Sequence, residues 1–124
     1  MQLHLLPPHA PALRGARLLV AADCVPVAYP EFHAKLLRGR SVVVGCPKLD
    51  DLQAYLERLT EMFRVAQLRE VVVARMEVPC CGGIVAAVVE ARRRAGVDTP
   101  VTEVVVSTRG ALLTERRIPV SAVA

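Results

Sequence analysis

Short apolar runs alternate with amphipathic segments along this chain, and the alternation predicts the order of its strands and helices. Three continuous apolar runs have the length of strands, and they lack the alternation with polar residues that a half-exposed strand shows. This is typical of parallel strands that are covered on both faces, and the runs are Ala16 to Ala22, Ser41 to Val44 and Val71 to Met76. Two segments with apolar residues at three- and four-residue steps predict helices, one after Pro47 and one from Gly82 to Ala95. A shorter helix is predicted from Glu31 to Leu37.

The ends of the two longer helices carry recognisable signals. Asp50 or Asp51 is placed to cap the first turn of the helix after Pro47, where backbone N–H groups need an acceptor. The run from Arg92 to Arg94 falls in the last turn of the second helix, where it is favourable against the helix dipole. Gly96 then predicts a left-handed stop.

The carboxyl-terminal part of the chain predicts a β-hairpin. Glu103 to Ser107 and Ala111 to Arg117 have strand composition, and a turn signal at Thr108 to Gly110 joins them. Together with the preceding alternation of strands and helices, this predicts the α/β class. We expect residues 1–124 to form a single three-layer Rossmann-like domain, with a mostly parallel sheet and an antiparallel hairpin at its carboxyl-terminal edge.

Composition narrows the class of protein. A chain of 124 residues that is 53% hydrophobic has the size and apolar content of one ordinary domain. No apolar run approaches the roughly 18 residues of a membrane span, and the first residues lack the pattern of a signal peptide. We therefore expect a cytoplasmic protein that has no membrane association.

The net charge of +4 is modest, and the basic residues that carry it are spread along the sequence. They include Arg14, Arg17, Lys35, Arg38, Arg40, Arg64 and Arg69. With two Tyr, two Phe and no Trp, the chain has few aromatic rings on which bases could stack, so no nucleic-acid partner is expected. A positive charge favours docking to an acidic partner protein instead.

Four cysteines follow the three predicted parallel strands: Cys24, Cys46, Cys80 and Cys81. Because the carboxyl ends of parallel strands lie along one edge of a sheet, these residues are expected to converge there. A reducing compartment disfavours structural disulfides, and thiolates bind zinc, copper(I) or iron–sulfur clusters. The four cysteines are thus candidate metal ligands, with an iron–sulfur cluster as the expected cofactor and zinc as the alternative.

Several neighbours of the cysteines are candidates for supporting roles. His9 and His33 are possible additional ligands, since neutral imidazole binds metals readily. Asp23 and Glu77 precede cysteine segments and are placed to orient the thiols. Lys48 is a candidate to offset the negative charge of a cluster. Gly82 and Gly83 lack side chains and would let the backbone approach the site closely.

The residues also allow other functions. A thiol–disulfide oxidoreductase would use Cys80 or Cys81 as nucleophile and Cys46 or Cys24 as the resolving thiol. A structural zinc site or an interaction domain is a further alternative, and buried cysteines also serve as small apolar residues. The chain has no CxxC pair, no phosphate-binding GxxxxGK or GxGxxG loop and no GxSxG hydrolase motif.

Four segments of the chain resemble a known family: QLHLLPPHAP, ADCVPVAYPEFH, VVGCPKLDD and MEVPCCGGIV. They are similar to the carboxyl-terminal domain of bacterial and archaeal iron–sulfur proteins of the 4Fe–4S ferredoxin type, over Gln2 to about Val106. The CxxCxxC cluster motifs of those proteins are absent here. The resemblance implies an anaerobic, redox-linked setting, a ferredoxin domain or redox protein as partner, and an accessory role in electron transfer rather than a stand-alone enzyme.

Overall fold

The computed structural model describes residues 2–3, 6–46, 51–78 and 82–120. Within these ranges five strands form one sheet: β1 (Arg17–Ala22), β2 (Ser41–Gly45), β3 (Glu70–Met76), β4 (Val101–Val106) and β5 (Leu112–Ile118). The α-helices of the described residues are α1 (Val25–Ala28), α2 (Leu52–Val65) and α3 (Gly82–Ala95). A 3₁₀ turn at Pro11–Leu13 precedes β1, and a π-helical turn at Phe32–Leu37 precedes β2.

The order of strands in the sheet is β2-β1-β3-β4-β5. The pairs β1–β2, β1–β3 and β3–β4 are parallel, whereas β4 and β5 are antiparallel. The chain passes from β1 to β2, which lies on one side of β1, and then from β2 to β3, which lies on the other side of β1. This reversal makes the gap between the carboxyl ends of β1 and β3 the point where α/β sheets of this order bind ligands.

Helical segments cover both faces of the sheet and create two apolar cores. On one face, α2 and α3 pack over Leu18 and Val20 of β1 and over Val71 and Val73 of β3. On the other face, α1 and the π-helical turn pack over alternate residues of the same strands, such as Leu19 and Val72. Both faces of the central strands β1 and β3 are therefore buried, which explains why their sequences are apolar without alternation.

The predicted three-layer α/β domain with an antiparallel edge is confirmed. The observed strands differ from the predicted ones by a residue or two, chiefly because β1 begins at Arg17 and β4 begins at Val101. Asp51 caps α2 by accepting hydrogen bonds from the backbone N–H groups of Gln53 and Ala54, while Asp50 lies outside the described residues. Gly96 has a φ of +70°, as its predicted role as a left-handed stop requires.

Three details differ from the prediction. The short helix predicted from Glu31 to Leu37 is a π-helical turn over Phe32–Leu37. The single turn of α1 was not expected from a sequence containing Pro26. Arg92 does not serve the dipole of α3 alone: it is 3% exposed and donates hydrogen bonds to the carbonyl groups of Thr99, Ile118 and Pro119. Burial lowers the pKa of this guanidinium.

None of the described helices is both long and apolar enough for a membrane span.

Candidate functional site at the carboxyl edge of the sheet

Cys24 and Cys46 lie at the carboxyl ends of two hydrogen-bonded strands. Ala22 and Gly45 are the last residues paired between β1 and β2. The N–H of Asp23 donates to the carbonyl of Gly45 at 2.9 Å, which extends the contact one residue further. Cys46 follows Gly45 directly, and Cys24 follows Asp23. Since adjacent strands are about 4.8 Å apart, the backbones of both cysteines leave the sheet side by side.

The backbone at Cys46 is held by the side chain of Tyr55 from α2. Tyr55 is fully buried, and its hydroxyl oxygen accepts a hydrogen bond of 2.9 Å from the N–H of Cys46. The ring approaches so closely that a Cβ added to Gly45 would lie 2.6 Å from the Cζ atom of Tyr55. Position 45 therefore has room only for glycine, and the tyrosine fixes where β2 ends and Cys46 begins.

Cys24 has a more open setting. It is an exposed thiol outside any disulfide, and it directly precedes α1. Its carbonyl accepts a hydrogen bond of 2.9 Å from the N–H of Ala28, so the residue belongs to the first turn of this short helix. Cys46 is half-buried by comparison. Of these two thiol-bearing residues, Cys24 offers the more direct access from solvent.

The third cysteine segment follows β3, which is the other neighbour of β1. Cys80 and Cys81 lie outside the described residues, and so does Lys48. The described chain ends at Val78, two residues beyond the last residue of β3, and resumes at the start of α3. There, Gly82 is exposed and Gly83 is half-buried.

Glu77 was predicted to orient a thiol, and its carboxylate contacts the β4–β5 loop. One oxygen, Oε1, accepts hydrogen bonds of 3.2 Å from both the N–H and the hydroxyl of Thr108. The backbone N–H of Glu77 also donates to the carbonyl of Val106 at 2.9 Å. Glu77 therefore ties the end of β3 to the hairpin loop. Asp23, the other predicted orienting residue, is exposed at the end of β1.

The two candidate histidines are both exposed. His33 lies in the π-helical turn, where its ring packs edge-on against Phe32 with centroids 5.5 Å apart. His9 lies in a turn three residues before Ala12. The carbonyl of Ala12 accepts a hydrogen bond from Ser41, which is the first residue of β2, whereas Cys46 follows the last residue of that strand. Across residues 2–3, 6–46, 51–78 and 82–120, no three His, Cys, Asp or Glu side chains are grouped closely enough to hold a metal ion.

The sequence did not predict an ion-pair cluster that joins side chains of β3, β4 and β5. Glu103 of β4 is 8% exposed and accepts hydrogen bonds from Arg75 of β3 at 2.8 Å and from Arg116 of β5 at 3.1 Å. Hydrogen bonding to Arg75 is the main cause that holds the pKa of Glu103 below its usual range, and burial opposes it. The available signal was the presence of Arg75 and Glu103 within otherwise apolar strands.

Comparisons with known proteins agree with this architecture. A Rossmann-like domain family matches residues 10–123. A protein of Archaeoglobus fulgidus, described as an uncharacterized protein, is 30% identical over 112 residues, which cover 90% of this chain and 79% of that protein. No solved structure gave a significant match. Neither description mentions a ferredoxin, so these matches extend to the fold and not to the expected iron–sulfur family. The chain belongs to the Rossmann-like domain family.

Proposed function

We propose that this chain is a redox accessory module that holds an iron–sulfur cluster at the carboxyl edge of its sheet. The ligands in this proposal are Cys24, Cys46, Cys80 and Cys81. The proposed partner is a redox protein or a ferredoxin domain, in line with the resemblance of the cysteine-bearing segments to proteins of the 4Fe–4S ferredoxin type. The net charge of +4 favours an acidic surface on that partner.

One observation carries the proposal: the strand order puts the cysteine-bearing strand ends next to one another. β1 lies between β2 and β3, and the sequence has a cysteine within a few residues of the end of each. Their parallel direction gives all three ends the same edge. Thiols drawn from three adjacent strand ends supply the soft donors that iron–sulfur clusters require.

The chemistry of the donors fits such a cluster only if all three segments take part. Cys24 and Cys46 supply two thiols, and no described histidine or carboxylate completes a group of three around them. The proposal therefore requires Cys80 and Cys81 as the remaining ligands. The exposure of Cys24 would leave one side of the cluster within reach of an electron-transfer partner, because transfer between proteins needs close approach of the redox centre to the surface.

The test is reconstitution of the full chain with iron and sulfide in the absence of oxygen. We expect a brown protein with broad absorption at the visible–ultraviolet boundary, and with iron and acid-labile sulfide in similar amounts. Cys24→Ser and Cys46→Ser should each lower the bound iron. The matched control is Val27→Ala, since Val27 is 89% exposed and lies three residues beyond Cys24. Circular dichroism of every variant confirms that the fold persists.

Colourless, iron-free protein after this treatment would contradict the proposal. Bound zinc with no iron would favour a structural metal site, whose removal should unfold the chain. Iron content unchanged in both cysteine variants would likewise reject the assigned ligands, even if colour were present.

A thiol–disulfide oxidoreductase is a second candidate, favoured by one observation: exposed Cys24 and half-buried Cys46 follow the ends of two adjacent parallel strands. In that case metal-free protein treated with oxidised glutathione should form an intramolecular disulfide while the glutathione disulfide is reduced to two thiols, and dithiothreitol should reverse the change. One thiol of the reduced protein should also react with iodoacetamide faster than the others. Equal, slow alkylation of all four thiols would count against this candidate.

A further inference from the structure

The opposite edge of the sheet holds a cavity of about 550 Å³ whose charged lining consists of arginines. We call it the arginine cavity and define it by Arg14, Arg17, Arg40, Ser41 and Arg69. The residues come from three separate segments, at the starts of β1, β2 and β3. Its volume lies within the range of roughly 300–1,000 Å³ typical of small-molecule sites.

Backbone hydrogen bonds assemble the cavity. The N–H of Arg69 donates to the carbonyl of Ala16 at 2.9 Å, and the N–H of Gly15 donates to the carbonyl of Ala66 at 2.7 Å. These bonds join the segments that lead into β1 and β3. The hydroxyl of Ser41 donates to the carbonyl of Ala12 at 3.0 Å, which joins the start of β2 to the same place. The arginines are therefore carried on segments that are tied together.

The charge of the arginine cavity is largely uncompensated. Arg40 pairs with Glu70 at 3.0 Å and donates to the carbonyl of Leu36 at 2.8 Å. The side chains of the other three arginines are exposed, and within the described part of the chain they make no hydrogen bond or ion pair. Four guanidinium groups and one carboxylate give a local charge of +3, compared with +4 for the whole chain.

Such a concentration of guanidinium groups selects for a particular ligand chemistry. Like charges held close together repel one another, so an anion that enters the cavity gains from several partners at once. Guanidinium groups present planar pairs of N–H donors that match phosphate oxygens, and they are more weakly hydrated than ammonium groups. The three exposed arginines keep their donors available, whereas Arg40 is already engaged.

We propose that the arginine cavity binds a small compound with several phosphate charges. The site lies at the amino edge of the sheet, away from the carboxyl edge where ligands of this fold class bind. The inference is independent of the sulfur site: failure of either proposal leaves the other standing.

The experiment is calorimetric titration of the full chain with sodium tripolyphosphate in 50 mM and 200 mM salt. We expect saturable binding with one ligand per chain, weaker at the higher salt because exposed charges are screened. The variant Arg17→Gln with Arg69→Gln should weaken binding by about tenfold or more, since two charge-assisted donors are lost. The matched control is Arg109→Gln with Arg117→Gln, which removes the same charge from exposed positions outside the cavity.

Three results would overturn the inference. The first is an absence of saturable binding, and the second is an equal loss of affinity in both double variants, which would indicate general charge attraction. The third is binding of citrate or of a poly-glutamate peptide at least as tightly as tripolyphosphate, because a carboxylate ligand or an acidic protein would then be preferred. Thermal unfolding of each variant verifies that the chain remains folded during titration.

Discussion

The two edges of the sheet are built in different ways. At the carboxyl edge, the chain satisfies its own polar groups: Tyr55 accepts from Cys46, Gly45 accepts from Asp23, and Glu77 accepts from Thr108. At the amino edge, backbone bonds shape the arginine cavity, but the exposed guanidinium groups receive no partner from the described chain. Packing defines the first edge, whereas unbalanced charge defines the second.

This difference separates packed contacts from unbalanced charge. Substitutions of the buried residues Gly45 and Tyr55, which lie behind the carboxyl edge, should change the free energy of unfolding, because they disturb close contacts and a hydrogen bond. Substitutions of the exposed arginines should change the affinity for anions and the dependence on salt, with little effect on unfolding. Both kinds of measurement are possible on the same full chain.

The largest effect is expected for Gly45→Ala. The new Cβ would lie 2.6 Å from the Cζ atom of Tyr55, which is fully buried. Overpacking of this kind costs about 3 kcal/mol of unfolding free energy. Urea denaturation measures the loss. Gly82→Ala is the control, since a Cβ there meets no atom of the described residues within 4 Å and alanine favours the helix. Equal stabilities of the two variants would refute the close-contact argument.

Glu103→Gln should cost about 2 kcal/mol at neutral pH, because glutamine replaces a carboxylate that accepts charge-assisted hydrogen bonds from two arginines. The pKa of Glu103 is lower in the folded chain than the value of about 4.3 expected when unfolded. Its stabilising contribution is therefore complete above the unfolded pKa and declines as the pH falls through the folded value.

The difference in unfolding free energy between wild type and Glu103→Gln should accordingly stay constant from pH 7 to about pH 5 and narrow when urea denaturation is repeated at lower pH, down to about pH 2.5. Glu90→Gln serves as a comparison, because Glu90 pairs with Arg93 and Arg94 on the exposed side of α3. Its pKa is lowered to about 2, mainly by hydrogen bonding to Arg93. We expect a smaller loss of stability there, since exposed ion pairs contribute little. A larger loss for Glu90→Gln would reverse this assignment.

A smaller effect, about 1 kcal/mol, is expected for Tyr55→Phe, which removes the hydroxyl acceptor from the N–H of Cys46. The ring remains, so the packing of α2 is retained. Combined with Gly45→Ala, the loss should be less than the sum of the single losses, because the hydroxyl is part of the steric conflict. Strict additivity in this double-mutant cycle would show that the two residues do not interact.

Much of the sheet was predictable from the sequence, because continuous apolar runs such as Val71 to Met76 report burial on both faces. The turn at Gly96 and the cap at Asp51 were predictable for a local reason: each depends on a few neighbouring residues. The sequence also predicted that Cys24 and Cys46 would follow parallel strands, and both do. The assignment of these thiols as cluster ligands stays a prediction.

The features that the sequence did not predict depend on contacts between residues that are far apart along the chain. The contact between Gly45 and Tyr55 crosses from a strand to a helix, and the cluster around Glu103 joins three strands. The arginines of the amino edge were interpreted as scattered because they are far apart along the chain. The strand order nevertheless gathers Arg14, Arg17, Arg40 and Arg69 around one cavity, which their spacing along the chain does not predict. Periodicity reports which face a residue occupies, but it carries no information about strand order.

The smallest effect on stability is expected for the double variant Arg17→Gln with Arg69→Gln. Both side chains are exposed and make no bond to the described chain, so unfolding should change by no more than about 0.5 kcal/mol. The sign is informative: removal of like charges should stabilise the fold slightly in 20 mM salt, and this gain should vanish in 500 mM salt, where screening is nearly complete. Urea denaturation at the two salt concentrations measures both values. A loss above about 1 kcal/mol at both concentrations would mean that these arginines hold the fold together, and the contrast between a packed edge and a charged edge would fail.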